Sequence, residues 1–229
     1  LLEKLADKLP TVERYVVLTD AAHMPSTTLK NAVAYEEWIA DSDDDFAWKS
    51  FDENTACGMC YTSGTTGNPK GVLYSHRSNV LHAMMALGKD VMGIGGGDVV
   101  MPVVPMFHAN AWGLAFACPA AGAKMVMPGG QLDGASVYEL LTTERVTISS
   151  AVPTVWLLLL QYLDQNPDLR LPDMQRIFIG GSACPEIIFK VFGEKYGIDV
   201  IHGWGMTEMS PIGTAGTPTA ATAKLSPAE

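Results

Sequence analysis

Short β-branched runs alternate along this chain with segments of helical period, and a chain punctuated in this way has few solutions: parallel strands joined by crossover helices. The runs predict strands at residues 14–19, 55–62, 99–104, 124–127, 147–151, 176–179 and 200–202, with helices at 75–89, 110–121, 136–145, 154–165 and 185–196. The expected fold class is α/β, with mostly parallel sheets flanked by helices. Ser75 is placed to cap a helix, Pro153 and Pro185 precede or occupy first turns, and Gly197 follows a last turn. Residues 1–10 read as a helix already in progress, and 213–229 as a flexible tract of Ala, Thr and Pro.

At about 150 residues per domain, 229 residues fit one large domain or a piece of a larger protein. Hydrophobic residues make up 48% and charged residues 17%, against about a quarter charged in an average globular chain. Disorder is therefore excluded and a large core is required. The net charge of −10 is concentrated: eight acids between residues 36 and 53, set against Lys49, account for −7. That run reads as a solvated loop. The remaining −3 leaves no basic stripe to neutralise a phosphodiester backbone, which argues against a nucleic-acid partner.

Four cysteines without a signal-peptide pattern do not make a disulfide framework, and a reduced, cytoplasmic protein is expected. Cys57 and Cys60 read as buried strand cysteines. Residues 99–123 carry no charge, but Pro102, Pro105, Pro119, His108 and Asn110 divide them, so no membrane span is expected. The histidines at 23, 76 and 82 show no metal-ligand spacing, with His76 placed to begin a helix. Met84, Met85 and Met92 read as helix packing, and residues 157–160 as a buried helix face.

The stretch richest in chemistry is Tyr61-Thr62-Ser63-Gly64-Thr65-Thr66-Gly67-Asn68-Pro69-Lys70-Gly71. Its glycines let backbone amides turn toward an anion, while Thr62, Ser63, Thr65, Thr66 and the Lys70 ammonium add donors. A polyphosphate is the fitting ligand; a plain turn is the alternative. It is not a Walker loop, because the position five after Gly64 is Pro69 where that loop needs Gly. Gly180-Gly181-Ser182-Ala183-Cys184 lacks the last glycine of a nucleophile elbow, so Ser182 is a poor esterase serine.

Together with Pro105-Met106-Phe107-His108, Gly180 to Pro185, and His202-Gly203-Trp204-Gly205-Met206-Thr207-Glu208, this loop resembles the AMP-forming acyl-CoA synthetases, luciferases and adenylation domains of the adenylate-forming superfamily. The resemblance runs from about residue 55 to 211. Around Phe107 and Trp204 it is most similar to medium-chain acyl-CoA and methylmercaptopropionate-CoA ligases. It implies that residues 1–212 are the middle portion of an ATP- and acyl-binding N-terminal domain. It also implies that 213–229 are a truncated tail, and that the ribose-binding Asp, the hinge and the small C-terminal domain with its catalytic lysine lie outside the chain.

The resemblance further implies ATP and Mg²⁺ as cofactors, CoA as co-substrate and a short- or medium-chain fatty or methylthioalkanoic acid as substrate; a homodimer is compatible with it. Ser63, Thr65, Thr66 and Lys70 would hold the β- and γ-phosphates, with Thr62, Gly64 and Gly67 completing the loop. Glu208 and Thr66 would hold Mg²⁺, and Thr207 would contact the α-phosphate. Trp204 would stack on adenine within the segment His202, Gly203, Gly205, Met206. Gly180, Gly181 and Ser182 would border the purine and the floor of the acyl pocket. His108, with Thr207 and Glu208 the expected catalytic residues, would lie near the substrate carboxylate, and Trp112 and Gly113 would wall the acyl tunnel. An acyl-AMP ligase or luciferase-like enzyme and a non-catalytic nucleotide-binding relic are the competing functions.

Overall fold

The computed structural model describes residues 1–62 and 67–224. These divide into two compact units, Leu1–Ser50 and Phe51–Glu229.

In the first unit, β1 (Tyr15–Val17) pairs in parallel with β2 (Ala32–Ala34), and α1 (Tyr35–Ile39) follows directly. The Glu3 carboxylate accepts the Thr27 hydroxyl and the Thr28 amide, both at 2.8 Å, which fastens the start of the chain. The helix expected over residues 1–10 is instead two 3₁₀ turns, Leu2–Lys4 and Ala6–Lys8, neither burying a residue. With no apolar face covered, propagation beyond a turn gains too little. The acidic run also differs from its expectation, since Glu36 and Glu37 occupy the first turn of α1, where the helix dipole favours acids.

The second unit opens with a hairpin. Strands β3 (Ala56–Thr62) and β4 (Lys70–Ser75) pair antiparallel, with Thr62 opposite Lys70 and Cys60 opposite Val72. The strand expected at 55–62 is thus neither parallel nor buried. Alternation sends Cys60 inward and leaves Cys57 exposed, so only one of the two cysteines fits the buried reading. Helix α2 (His76–Leu87) follows, capped by the Ser75 hydroxyl, which accepts the Ser78 amide.

The main sheet has six strands, in the order β10 (Ile212–Ala215), β9 (Asp199–Gly205), β8 (Arg176–Ile179), β7 (Ile148–Ala151), β5 (Val99–Pro102) and β6 (Lys124–Met125). Every neighbouring pair is parallel except β10 with β9. Both faces are covered. Against one, Val137 and Leu141 of α5 (Gly134–Thr143), Trp156 and Leu159 of α6 (Pro153–Gln165) and Ile188 of α7 (Glu186–Lys190) pack on Ile177 and Ile179. Against the other, Ala83 and Ala86 of α2 and Leu114 and Ala117 of α4 (Leu114–Ala121) pack on Val100, Ile148 and Phe178. Burial on both sides explains why β7 and β8 carry little charge. Among the described residues no helix is long and apolar enough to cross a membrane.

Several elements depart from the sequence reading. The helix expected at 110–121 is split: Ala109–Trp112, labelled α3, turns left-handed with φ between 47° and 57°, and Gly113 at φ 80° leads into α4. After α7 the expected long helix widens into a π-turn, Val191–Lys195. Residues 213–215, expected in a loose tract, complete strand β10. Within 157–160 only Leu159 is fully buried, because the 3.6-residue period carries Leu157 and Leu158 away from the Trp156, Leu159, Leu163 face. Met92 is buried, whereas Met84 and Met85 face outward.

Helices α5 and α6 come into close contact at Gly134, where a Cβ would lie 2.5 Å from the Leu158 carbonyl oxygen and 2.6 Å from the Tyr162 Cβ. Gly134→Ala should therefore force the pair apart and cost about 1–3 kcal/mol. Urea unfolding checks this, and an unchanged midpoint would contradict the tight α5–α6 contact.

Candidate active site

In a parallel sheet, ligands collect where strands end at their carboxyl edge. Here β8 runs out into Gly180 and Gly181, and β9 ends as Gly203-Trp204-Gly205. Above these ends lies a cavity of about 740 Å³. Its walls come from four places: Tyr61, Thr62, Pro69 and Lys70 of the hairpin; Phe107, His108, Ala109 and Trp112 around the left-handed turn; the glycines of the two strand ends; and Met206, Thr207, Glu208, Pro211 and Ile212. Among the described residues, the ammonium of Lys70 and the carboxylate of Glu208 are the Lys and Glu groups on its lining.

The turn carrying Thr207 and Glu208 is built by close approach. At Gly205 a Cβ would lie 2.1 Å from the Pro211 carbonyl oxygen, so only glycine lets the chain fold back there. The Met206 amide then donates to that carbonyl at 2.9 Å, and Thr207–Met209 form a 3₁₀ turn. From the hairpin, the buried Tyr74 hydroxyl donates to the Thr207 carbonyl at 2.6 Å. Burial first, then the neighbouring Cys60 and Glu208, push the Tyr74 phenol up to about 12, so it remains a donor at neutral pH.

On the opposite side, His82 is buried, and its Nε2 accepts the Ile212 amide at 3.1 Å. Gly113 lies against its ring: a Cβ there would sit 2.4 Å from Cε1, and φ of 80° suits glycine besides. Burial lowers the His82 pKa to about 4, so the ring is a neutral acceptor at physiological pH.

The structure brings Thr62, Lys70, His108, Trp112, Gly180, Gly181, Gly203, Gly205, Met206, Thr207 and Glu208 together around this one space. Trp112 serves both the core and the wall: it is buried, with its ring edge-on to Phe178 at 6.1 Å. Gly67, Gly113, Ser182, His202 and Trp204 are not among the lining residues. Gly67 lies in the exposed turn before β4, and Gly113 is occupied with His82. The Ser182 carbonyl lies 3.2 Å from His202 Nε2. Trp204 is exposed and lies over Gly213. Ser63, Gly64, Thr65 and Thr66 fall outside the described residues.

Sequence reasoning missed Tyr74, His82 and Ile212. His82 shares a helix face with Asn79, Ala83 and Ala86, and that spacing was the available signal that it is buried. Among the described residues no three His, Cys, Asp or Glu side chains gather to hold a metal. Glu208 alone suits an ion such as Mg²⁺, which takes one or two carboxylates and fills its shell with water and phosphate oxygens.

For this doubly covered α/β sheet with an open, glycine-edged cavity at its strand ends, comparison supplies the family. The chain belongs to the AMP-binding enzyme family, which matches residues 1–228. It is 45% identical over its whole length to 42% of the medium-chain-fatty-acid–CoA ligase of Ectopseudomonas oleovorans. It is 47% identical to the 3-methylmercaptopropionyl-CoA ligase of Ruegeria lacuscaerulensis, over 98% of this chain and 42% of that one. The chain thus spans less than half the length of these relatives. Among solved structures, the inhibitor-bound N-terminal domain of FACL13 from Mycobacterium tuberculosis superposes with a TM-score of 0.70 at 26% identity, covering 86% of this chain and 49% of that one.

The buried His82 gives a pH dependence of known sign. Its folded pKa of about 4 lies below the ordinary value of 6.5, so between the two the unfolded chain binds more protons and stability rises with pH. Thermal melting should show stability falling as pH drops from 6.5 toward 4, with this contribution flat below 4. His82→Gln, which keeps an acceptor for Ile212, should remove that slope; an unaltered slope would place the titrating group elsewhere.

Proposed function

We propose that this chain is the ATP- and acyl-binding portion of an AMP-forming acid–CoA ligase. The observation that supports it most is the meeting of Lys70, His108 and the Thr207–Glu208 turn around one cavity over glycine-bearing strand ends. In the first half-reaction, the substrate carboxylate attacks the α-phosphorus of ATP and pyrophosphate leaves. In the second, the CoA thiolate attacks the acyl carbonyl and AMP leaves. Both bring anions together, so the site must offset repulsion and hold an in-line geometry.

The residues divide that work. Lys70 neutralises the β- and γ-phosphates, with Thr62 beside it and Ser63, Gly64, Thr65, Thr66 and Gly67 in the same loop. Thr207 donates to the α-phosphate. Glu208, with Thr66, would hold Mg²⁺, which when bound neutralises phosphate charge. Gly180 and Gly181, with Ser182, let the purine and acyl chain pass close to backbone, while Gly203 and Gly205 allow the close packing against Phe178 and Pro211 that shapes the strand end. Ser182, His202, Met206 and Trp204 complete the nucleotide side, with Trp204 as the stacking surface for adenine. His108 orients the substrate carboxylate. Trp112 limits the acyl tunnel to a short or medium chain, and Gly113 supports that wall.

The names of the relatives, a medium-chain fatty acid ligase and a 3-methylmercaptopropionyl ligase, support an acid without an α-amino group. Under the same proposal residues 1–212 are the middle of the large domain, and a small C-terminal domain elsewhere in the intact protein supplies the catalytic lysine. Four unpaired cysteines suit a cytoplasmic location. A homodimer remains part of the proposal.

Two substitutions test the roles. Lys70→Ala should weaken ATP binding by about 1.5–3 kcal/mol, the worth of a charge-assisted contact; calorimetric titration measures it, and unchanged affinity would remove the hairpin lysine from the phosphate site. In the intact protein, Glu208→Gln should lower acid-dependent ATP–pyrophosphate exchange at least about tenfold, or about 1.4 kcal/mol, while the unfolding midpoint stays put. Loss of both together would mark Glu208 as structural. Medium-chain acids should support the exchange, and AMP release should require CoA; release independent of CoA would favour an acyl-AMP ligase.

A further inference from the structure

We propose that Tyr74 is a positioning residue that fixes the Thr207–Glu208 turn relative to the Lys70 wall of the cavity. The inference rests on the adenylating function proposed above and extends it to a side chain that never reaches the ligand.

Lys70 and Tyr74 lie on the same face of β4, two pleats apart. Lys70 faces the cavity; Tyr74 is 3% exposed and absent from its lining. The Tyr74 hydroxyl instead crosses to the Thr207 carbonyl at 2.6 Å, 133 residues along the chain. That carbonyl also accepts the Ser210 amide at 3.4 Å, so the bond grips the turn at its first residue. One strand therefore carries, at one end, the cation for the distal phosphates and, near the other, the anchor for the residues that meet the α-phosphate and the metal.

A buried phenol could simply fill space, and the packing of its ring would serve that purpose without its oxygen. The test separates ring from hydroxyl. In this chain, Tyr74→Phe should weaken binding of ATP with Mg²⁺ about five- to tenfold, the range of one hydrogen bond. Binding of ATP in EDTA, which keeps the Lys70 contact and loses at most part of the Thr207 one, should weaken less, about two- to threefold. Backbone amide exchange should quicken at 206–210 and stay unchanged in the hairpin. Incorporating 4-aminophenylalanine at position 74 restores a donor in the same place and should restore the Mg²⁺-dependent affinity.

Equal loss with and without Mg²⁺, no loss at all, or a restored donor without restored affinity would each overturn the proposal, the last also where Tyr74→Phe does not fold. Wild-type chain that binds no ATP would overturn the adenylating function and this inference with it. Wild-type binding that Tyr74→Phe leaves untouched overturns the inference alone.

Discussion

The carboxyl ends of β8 and β9 carry glycine where a side chain would strike a neighbouring element, and the site depends on that close approach. At Gly203 a Cβ would lie 2.2 Å from the Phe178 ring, and at Gly205 one would meet the Pro211 carbonyl. With those positions bare, the chain doubles back after Thr207–Met209 into β10 and closes the antiparallel edge of the sheet. A doubly covered parallel sheet makes this edge rigid. The helices on both faces leave β8 no freedom to shift without disturbing two cores.

Around that rigid edge, long-range polar contacts add to strand pairing and core packing in holding the remaining walls. Tyr74 joins the hairpin to the Thr207 carbonyl, and His82 joins α2 to the first residue of β10. Both side chains are buried, so the low dielectric strengthens these bonds. The left-handed turn Ala109–Trp112 has four successive non-glycine residues at positive φ. Such a conformation costs energy at each residue and persists where the surroundings hold it, here by burial of Ala109, Ala111 and Trp112. The strain presents His108 and Trp112 to the same space as Lys70 and Glu208.

Much of this was legible in the chain. The β-branched runs placed the parallel strands, Arg176–Ile179 to the residue, because past its half-buried first residue this strand is covered on both faces and is apolar. The Ser75 cap and the ordered glycine-rich stretches were local signals and were read locally. What escaped was decided by partners distant in sequence or by handedness. Strand β4 follows Pro69 and contains Gly71, and so reads as loop until β3 pairs with it. Strand β10 is polar enough to pass for a tail and exists through β9. Ala-Asn-Ala-Trp has helical composition, and nothing in it announces a left-handed turn. Tyr74 and His82 act across 133 and 130 residues, beyond the reach of any local motif.

On the function proposed above, the cavity between Lys70 and the Thr207–Glu208 turn receives the triphosphate of ATP. A crystal structure of the chain with a non-hydrolysable ATP analogue and Mg²⁺ tests it most directly. The distal phosphates should lie within hydrogen-bonding reach of the Lys70 ammonium, with the metal between a phosphate oxygen and Glu208. A nucleotide seated away from both residues, at saturating concentration and with the cavity open, would rule out this placement of the triphosphate.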